Sequence, residues 1–155
     1  MDHQPTDLHL DRQVCFPLYA ISRLLTRFYQ PLLEPLGLTY PQYIVLMILW
    51  EDAPCTVSHI GERAQLGSNT LTPLLKRMQG QGLIRRKRSA QDERVVDIDL
   101  TPAGIALRDQ CACIPTELFT AIGYPSSEAQ ALKLQLDQLL AHLRRVSAPH
   151  NASAK

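Results

Sequence analysis

The stretch QVCFPLY, residues 13–19, places a thiol at Cys15 and a phenol four residues on at Tyr19. A cysteine can serve as nucleophile, metal ligand or redox centre, or it can fill space as a small hydrophobe. The local pattern alone favours an inert, buried Cys15. Tyr29, Tyr40 and Tyr43 equally read as core aromatics. Cys111 and Cys113 form a CAC pair with no second Cys or His pair at zinc-like spacing, and the five histidines are scattered. Neither a metal nor a cofactor is therefore expected. No phosphate-cradling glycine loop or hydrolytic triad occurs, so an enzyme is not expected either.

A second set of residues has the chemistry to meet an anion. Net charge is only +1, yet Lys76, Arg77, Arg85, Arg86, Lys87, Arg88 and Arg94 put seven of sixteen basic residues between positions 76 and 94. Such a cluster on a near-neutral chain presents one basic face. Ahead of it lie Ser68, Asn69, Thr70 and Thr72, types that donate to phosphates and base edges. A basic run is usually just a solvated face, so the elements that carry it must decide.

Those elements are legible. Leu18, Ile21, Leu24, Leu25, Phe28 and Leu32 recur at helical spacing, giving a long first helix frayed by Pro31 and Pro35. Pro17 argues that regular helix begins close to Cys15. YPQYIVLMILWED is apolar almost all round, a buried central helix. A short helix over 57–64, a QLGS turn and a second helix to about Gln79, with Ser68 as its cap, make a helix-turn-helix. Pro73 inside the second helix should cost a hydrogen bond or bend it. Residues 83–89 and 94–100 alternate as two strands, and an antiparallel hairpin after a helix-turn-helix is a winged helix. Thr101-Pro102 opens a helix to about Ile122, bent at Pro115, and SEAQALKLQLDQLLAHLRRV is a final amphipathic helix.

The expected fold is mainly α: a winged helix-turn-helix with a two-stranded β wing, in a single domain of 155 residues. Residues 40–100 would bind DNA. Residues 8–36 and 102–146 carry more apolar face than the winged unit needs, and a homodimer is its natural use. No apolar run is long enough to span a bilayer, and the polar start MDHQPTDLHLD argues against export. A cytoplasmic location follows, in which Cys15, Cys55, Cys111 and Cys113 stay reduced.

The helix-turn-helix together with DERVVDIDLTPAG at 92–104, with Asp92, Arg94, Leu100 and Thr101 at the wing-signature positions, resembles the MarR-type winged-helix regulators. QVCFPLYAISRLLTRFYQPLLEPLGLTYPQYIVLMILWE and LTPLLKRMQGQGLIRRKR resemble their organic hydroperoxide resistance subfamily, and the likeness covers roughly residues 8–145. The resemblance reverses the reading of Cys15. It implies a peroxide-sensing thiolate held by the phenols of Tyr29 and Tyr40 across a dimer interface, with Tyr19 responding to oxidation. It implies a reduced homodimer on an inverted-repeat operator in double-stranded DNA, contacted through Ser68, Asn69, Thr70, Thr72, Lys76, Arg77, Arg86, Arg88, Asp92 and Arg94. Asp92 and Arg94 would also pair to hold the wing turn. Organic hydroperoxide would end repression. In two-cysteine members the second thiol aligns near Thr120, where this chain has none. Cys113, Cys111 or a low-molecular-weight thiol would then resolve oxidised Cys15. The alternative is a repressor released by a small phenolic ligand.

Overall fold

The computed structural model describes residues 8–88 and 95–147. Asp92 and Arg94, and with them the expected tip of the wing, lie outside the described residues. The chain divides into two compact units, residues 1–114 and 115–155.

In the first unit, α1 (Cys15–Leu33) begins at Cys15 as Pro17 requires. Pro31 does not fray it; the helix runs through that residue, and a 3-10 turn over Glu34–Leu36 follows. Gly37, at φ 67°, turns the chain. The central helix α2 (Tyr40–Asp52) starts where Thr39 caps it and Gln42 folds back, its Oε1 accepting from Thr39 N at 2.8 Å. Val45, Leu46, Ile48 and Leu49 of α2 are buried. They meet Ile60 of α3 (Val57–Ala64) and Leu71, Leu74, Leu75 and Met78 of α4 (Ser68–Gly80) in one cluster. Each such side chain contributes about 1.5–3 kcal/mol of apolar burial.

The expected hairpin gains a member. Strands β2 (Ile84–Arg88) and β3 (Val96–Leu100) pair antiparallel, and a two-residue strand β1 (Cys55–Thr56) adds to the far edge of β3, giving the order β1-β3-β2. Cys55 sits opposite Ile98 and Arg86 opposite Ile98 from the other side. Two residues carry no alternation, so β1 has no periodic signal.

The helix expected to run from Pro102 to Ile122 is two helices. α5 (Pro102–Cys111) ends at a break over Ala112–Cys113, not at Pro115. Pro115 is the second residue of α6 (Ile114–Ile122), a position whose N–H would be unpaired anyway. Thr101 caps α5 by accepting from Gly104 N at 3.1 Å. It also donates to Gly82 O at 2.6 Å, tying the helix start to the end of α4.

The second unit holds most of α6 and α7 (Ser126–Ser147). Leu132, Leu136, Leu139, Leu143 and Val146 recur at alternating intervals of four and three, and all are exposed. In the first unit α1 likewise leaves Phe16, Leu18, Ile21, Leu24 and Phe28 exposed. Among the described residues no single helix is long and apolar enough to cross a membrane.

Candidate nucleic-acid interface and thiol site

The helix-turn-helix forms from local chemistry. Thr56 accepts from His59 N at 3.1 Å and starts α3. Gln65, at φ 54°, makes the left-handed residue of the turn, and Leu66 N closes it on Gly61 O at 3.0 Å. The glycine of the turn, Gly67, is extended and occupies the cap position. Ser68 is the first helical residue, not the cap, and its side chain is exposed. Thr70 and Leu71 both donate to Gly67 O.

The apolar stripe of α4 faces the core, so Ser68, Asn69, Thr70, Thr72, Lys76 and Arg77 all project to solvent on the other side. Pro73 also lies there, and the helix continues past it to Gly80. Its missing N–H leaves the Asn69 carbonyl without the usual helical donor. Gln42, only 5% exposed, fixes the far end of α4 by donating to Gln81 Oε1 at 2.8 Å, and Gln81 donates on to Gly37 O at 3.2 Å.

The basic strand is not uniform. Arg85 donates to Asp99 at 2.8 Å and to the Leu100 carbonyl at 3.2 Å, so its charge is already matched within the sheet. Lys87 and Arg88 are exposed and Arg86 is half-buried. Arg86 and Arg88 line a recess with Gln79 and Val96. Composition alone does not separate Arg85 from its neighbours; the pairing register does.

An ion-pair cluster escaped the sequence reading. Asp52, at the end of α2, accepts from His59 Nε2 at 2.6 Å and from Arg63 at 2.5 Å, while Arg63 also donates to Glu51 at 2.9 Å. The hydrogen bond from His59, then that from Arg63, holds the Asp52 carboxyl below its usual range. The cluster ties the central helix to α3, and its signal is the seven-residue spacing of Asp52 and His59 and the eleven-residue spacing of Asp52 and Arg63.

The thiol set separates by exposure. Cys15, the first residue of α1, is exposed, against the buried reading of its local pattern. Its place on the first turn sets it in the positive potential of the helix end. Tyr19 is exposed, with the Arg23 guanidinium 5.7 Å from its ring centroid. Tyr29 and Tyr40 do come together, ring centroids 4.5 Å apart, and Tyr43 joins them 5.9 Å from Tyr29. Burial, then the Tyr40 and Tyr43 phenols, push Tyr29 up to about 12. Burial also raises Tyr40. These phenols are therefore O–H donors at neutral pH.

Cys15 and this tyrosine stack do not meet within one chain. Cys15 and Tyr29 share α1 and are fourteen residues apart, about 21 Å along the axis at 1.5 Å per residue. Cys111 is buried and its thiol is pushed up by that burial; Cys113 is exposed. Among the described residues no group of three or more His, Cys, Asp or Glu is placed to hold a metal ion.

Comparison with known proteins places this architecture. A family model described as transcriptional regulator SarA/Rot matches residues 27–110. The organic hydroperoxide resistance transcriptional regulator of Bacillus subtilis is 44% identical over 145 residues, 94% of this chain and 99% of that protein. Reduced AbfR bound to DNA superposes with a TM-score of 0.68 at 40% identity, over 86% of this chain and 94% of that one. Disulfide-formed AbfR gives 0.58 at 38% identity, over 84% and 92%; AbfR is a protein of Staphylococcus epidermidis. With the winged helix, the matched family model and a relative similar along almost its whole length, the chain belongs to the MarR-type transcriptional regulators, in their organic hydroperoxide resistance group.

Proposed function

We propose that this protein is a cytoplasmic, redox-sensing repressor whose reduced homodimer holds an inverted-repeat operator and releases it when an organic hydroperoxide oxidises Cys15. One observation carries the reading. The exposed thiol and the tyrosine stack sit at opposite ends of α1, so a second chain is needed to bring the Tyr29 and Tyr40 phenols to the sulfur. Uncovered apolar faces on α1 and α7 supply the surface for that second chain. The names of the relatives agree in chemistry: hydroperoxide resistance in one, reduced, DNA-bound and disulfide forms in another.

The mechanism follows from the groups. Donors from Tyr29 and Tyr40 of one subunit stabilise the sulfur anion of the other, and the anion is the form that attacks an O–O bond. Phe16 and Leu18 give the approach an apolar wall suited to organic peroxides. Oxidation to a sulfenic acid removes the charge the phenols hold. Tyr19, one helical turn from Cys15, is placed to respond. The subunits then shift, and two recognition helices set to enter grooves about 34–36 Å apart lose register. Moving a dimer from mostly bound to mostly free takes on the order of 5 kcal/mol of differential affinity.

On DNA, the first turn of α4 and Ser68, Asn69, Thr70 and Thr72 face the major groove, with Lys76 and Arg77 on the backbone. Arg86 and Arg88 lie on the wing strand, and Asp92 and Arg94 belong to the same proposal from sequence.

The test is Cys15→Ser. Operator binding should persist while the response to an alkyl hydroperoxide disappears; loss of binding would make the cysteine structural. A competing reading has its own observation. A cavity of about 630 Å³ beside α4, lined by Thr70, Arg77, Gln81 and Gln42 among others, could take a small phenolic acid against the Arg77 guanidinium. Release of DNA by such a ligand from the Cys15→Ser protein would favour it, and unaltered mass at Cys15 after stoichiometric peroxide would decide the choice.

A further inference from the structure

Tyr29 and Tyr40 are not an isolated pair. The Tyr43 ring lies 5.9 Å from Tyr29, and the Trp50 indole meets Tyr43 edge-on at 6.3 Å and 67°. Tyr43 and Trp50 are seven residues apart on α2, two helical turns, so both project from one face. Four rings therefore run in succession from the phenols assigned to the sulfur to the last turn of the central helix. Burial, then the sulfur of Cys111, raises the Tyr43 phenol, so α5 borders the stack as well.

Trp50 is the chain's one tryptophan, and its indole has a single polar group. That N–H donates to the Gly104 carbonyl at 2.9 Å. Packing alone does not require tryptophan here: a phenylalanine would offer Tyr43 the same kind of edge with no polar group to satisfy. Gly104 is buried in the first turn of α5, where a Cβ would overlap the Leu83 carbonyl oxygen. The same oxygen accepts from Thr101 N at 3.1 Å. Leu83 immediately precedes β2, the strand that carries Arg86 and Arg88. The start of α5 is thus held both by the indole and by the root of the wing. Close-packed interiors of this kind transmit displacement rather than absorb it.

We propose that Trp50 is a positioning residue of the redox switch, passing rearrangement of the tyrosine stack to the start of α5 and so to the wing strand. This rests on the reading that hydroperoxide oxidises Cys15 within a dimer. The hydroperoxide transfers one oxygen to the Cys15 sulfur and leaves as the alcohol, two electrons passing from the sulfur to the O–O bond. The sulfenic acid no longer holds the Tyr29 and Tyr40 phenols as the anion did. When Tyr29 moves, Tyr43 loses the ring stacked on it and repacks, and the indole edge follows. The bond from Nε1 to the Gly104 carbonyl carries that movement into α5, whose close approach to Leu83 leaves β2 no slack. Arg86 and Arg88 are then drawn from their places on DNA. Without the bond, the sulfur chemistry is unchanged and the wing receives less of its effect.

The experiment treats the full-length dimer with one equivalent of cumene hydroperoxide per subunit. It reads the oxidised fraction of Cys15 by mass spectrometry, the emission of Trp50, and affinity for a DNA fragment selected by the reduced protein. In wild type, emission should shift in step with Cys15 oxidation; in Tyr43→Leu, with the ring chain cut, it should not. Trp50→Phe should oxidise at Cys15 and bind DNA when reduced as wild type does. Its drop in affinity on oxidation should be smaller by about two- to tenfold, the worth of one net hydrogen bond. Tyr43→Phe keeps the ring and should respond as wild type. A Trp50→Phe protein with the full wild-type drop, or one weakened equally in both states, overturns the proposal and leaves peroxide sensing intact. So does a wild-type emission that stays constant while Cys15 is oxidised. Failure of Cys15 to oxidise in wild type overturns the sensing reading and this one with it.

Discussion

Tyr29 shows how much one side chain's surroundings decide. Its phenol is pushed up to about 12, chiefly by burial and further by the neighbouring Tyr40 and Tyr43 phenols. A phenol in the unfolded chain ionises near its ordinary value of 10.0. Between these two values the unfolded state has released a proton that the native state keeps. The unfolded state therefore binds fewer protons, and stability falls as pH rises through that window. Below the unfolded value the contribution is fully present. Absorbance titration near the phenolate band should show the stacked tyrosines ionising later than the exposed ones, and Tyr29→Phe should remove the latest step. Titration of all five tyrosines together near 10 would rule out the stack. The residue types at this site are legible from sequence: the family likeness singles out Cys15, Tyr29 and Tyr40. Tyr43 reads there only as a core aromatic, because stacking on Tyr29 and approach to Cys111 depend on which faces of α1, α2 and α5 meet.

At the scale of elements, hydrophobic period and capping chemistry specify most of what forms. Pro41 behind a Thr39 cap marks the start of α2, and the apolar stripe of α4 marks its inner face. What escapes is set by tertiary packing. β1 exists because Cys55 and Thr56 run along the open edge of β3. The break after Cys111 falls before a proline that suits the next helix start, so Pro115 signals a beginning rather than a bend. Gly104 is the sharpest such case. A Cβ there would overlap the Leu83 carbonyl oxygen, the same atom that accepts from Thr101 N at 3.1 Å. α5 can approach the start of β2 this closely only because position 104 has no side chain. Gly104→Ala should therefore destabilise the first unit by about 1–3 kcal/mol or more, as overpacking against backbone does. Thermal unfolding checks it. An unchanged midpoint would mean that α5 can shift outward at no cost, and the ties from Thr101 to Gly82 and from Trp50 to Gly104 argue against that.

For the whole molecule, charge placement has a measurable consequence on DNA. A near-neutral chain gains affinity from the few cations it aims at phosphate, and each phosphate neutralised releases counterions. The sequence puts seven basic residues in one cluster, but the sheet register divides them. Arg85 is matched by Asp99 across the ladder, while Arg88, four residues from the buried Ile84, is exposed at the outer end of β2. The two arginines, indistinguishable in composition, should behave differently in the proposed complex. Binding of an operator fragment measured across a salt series gives the slope of log affinity against log salt. Arg88→Ala should flatten that slope by about 0.9 for each phosphate the side chain neutralises, hence by about 1.8 for a two-fold dimer. Arg85→Ala should leave the slope unchanged, because its guanidinium is held by Asp99 and the Leu100 carbonyl. Equal flattening by both variants would show that the Arg85–Asp99 pair opens on DNA. No flattening by Arg88→Ala would remove that end of the wing strand from the interface.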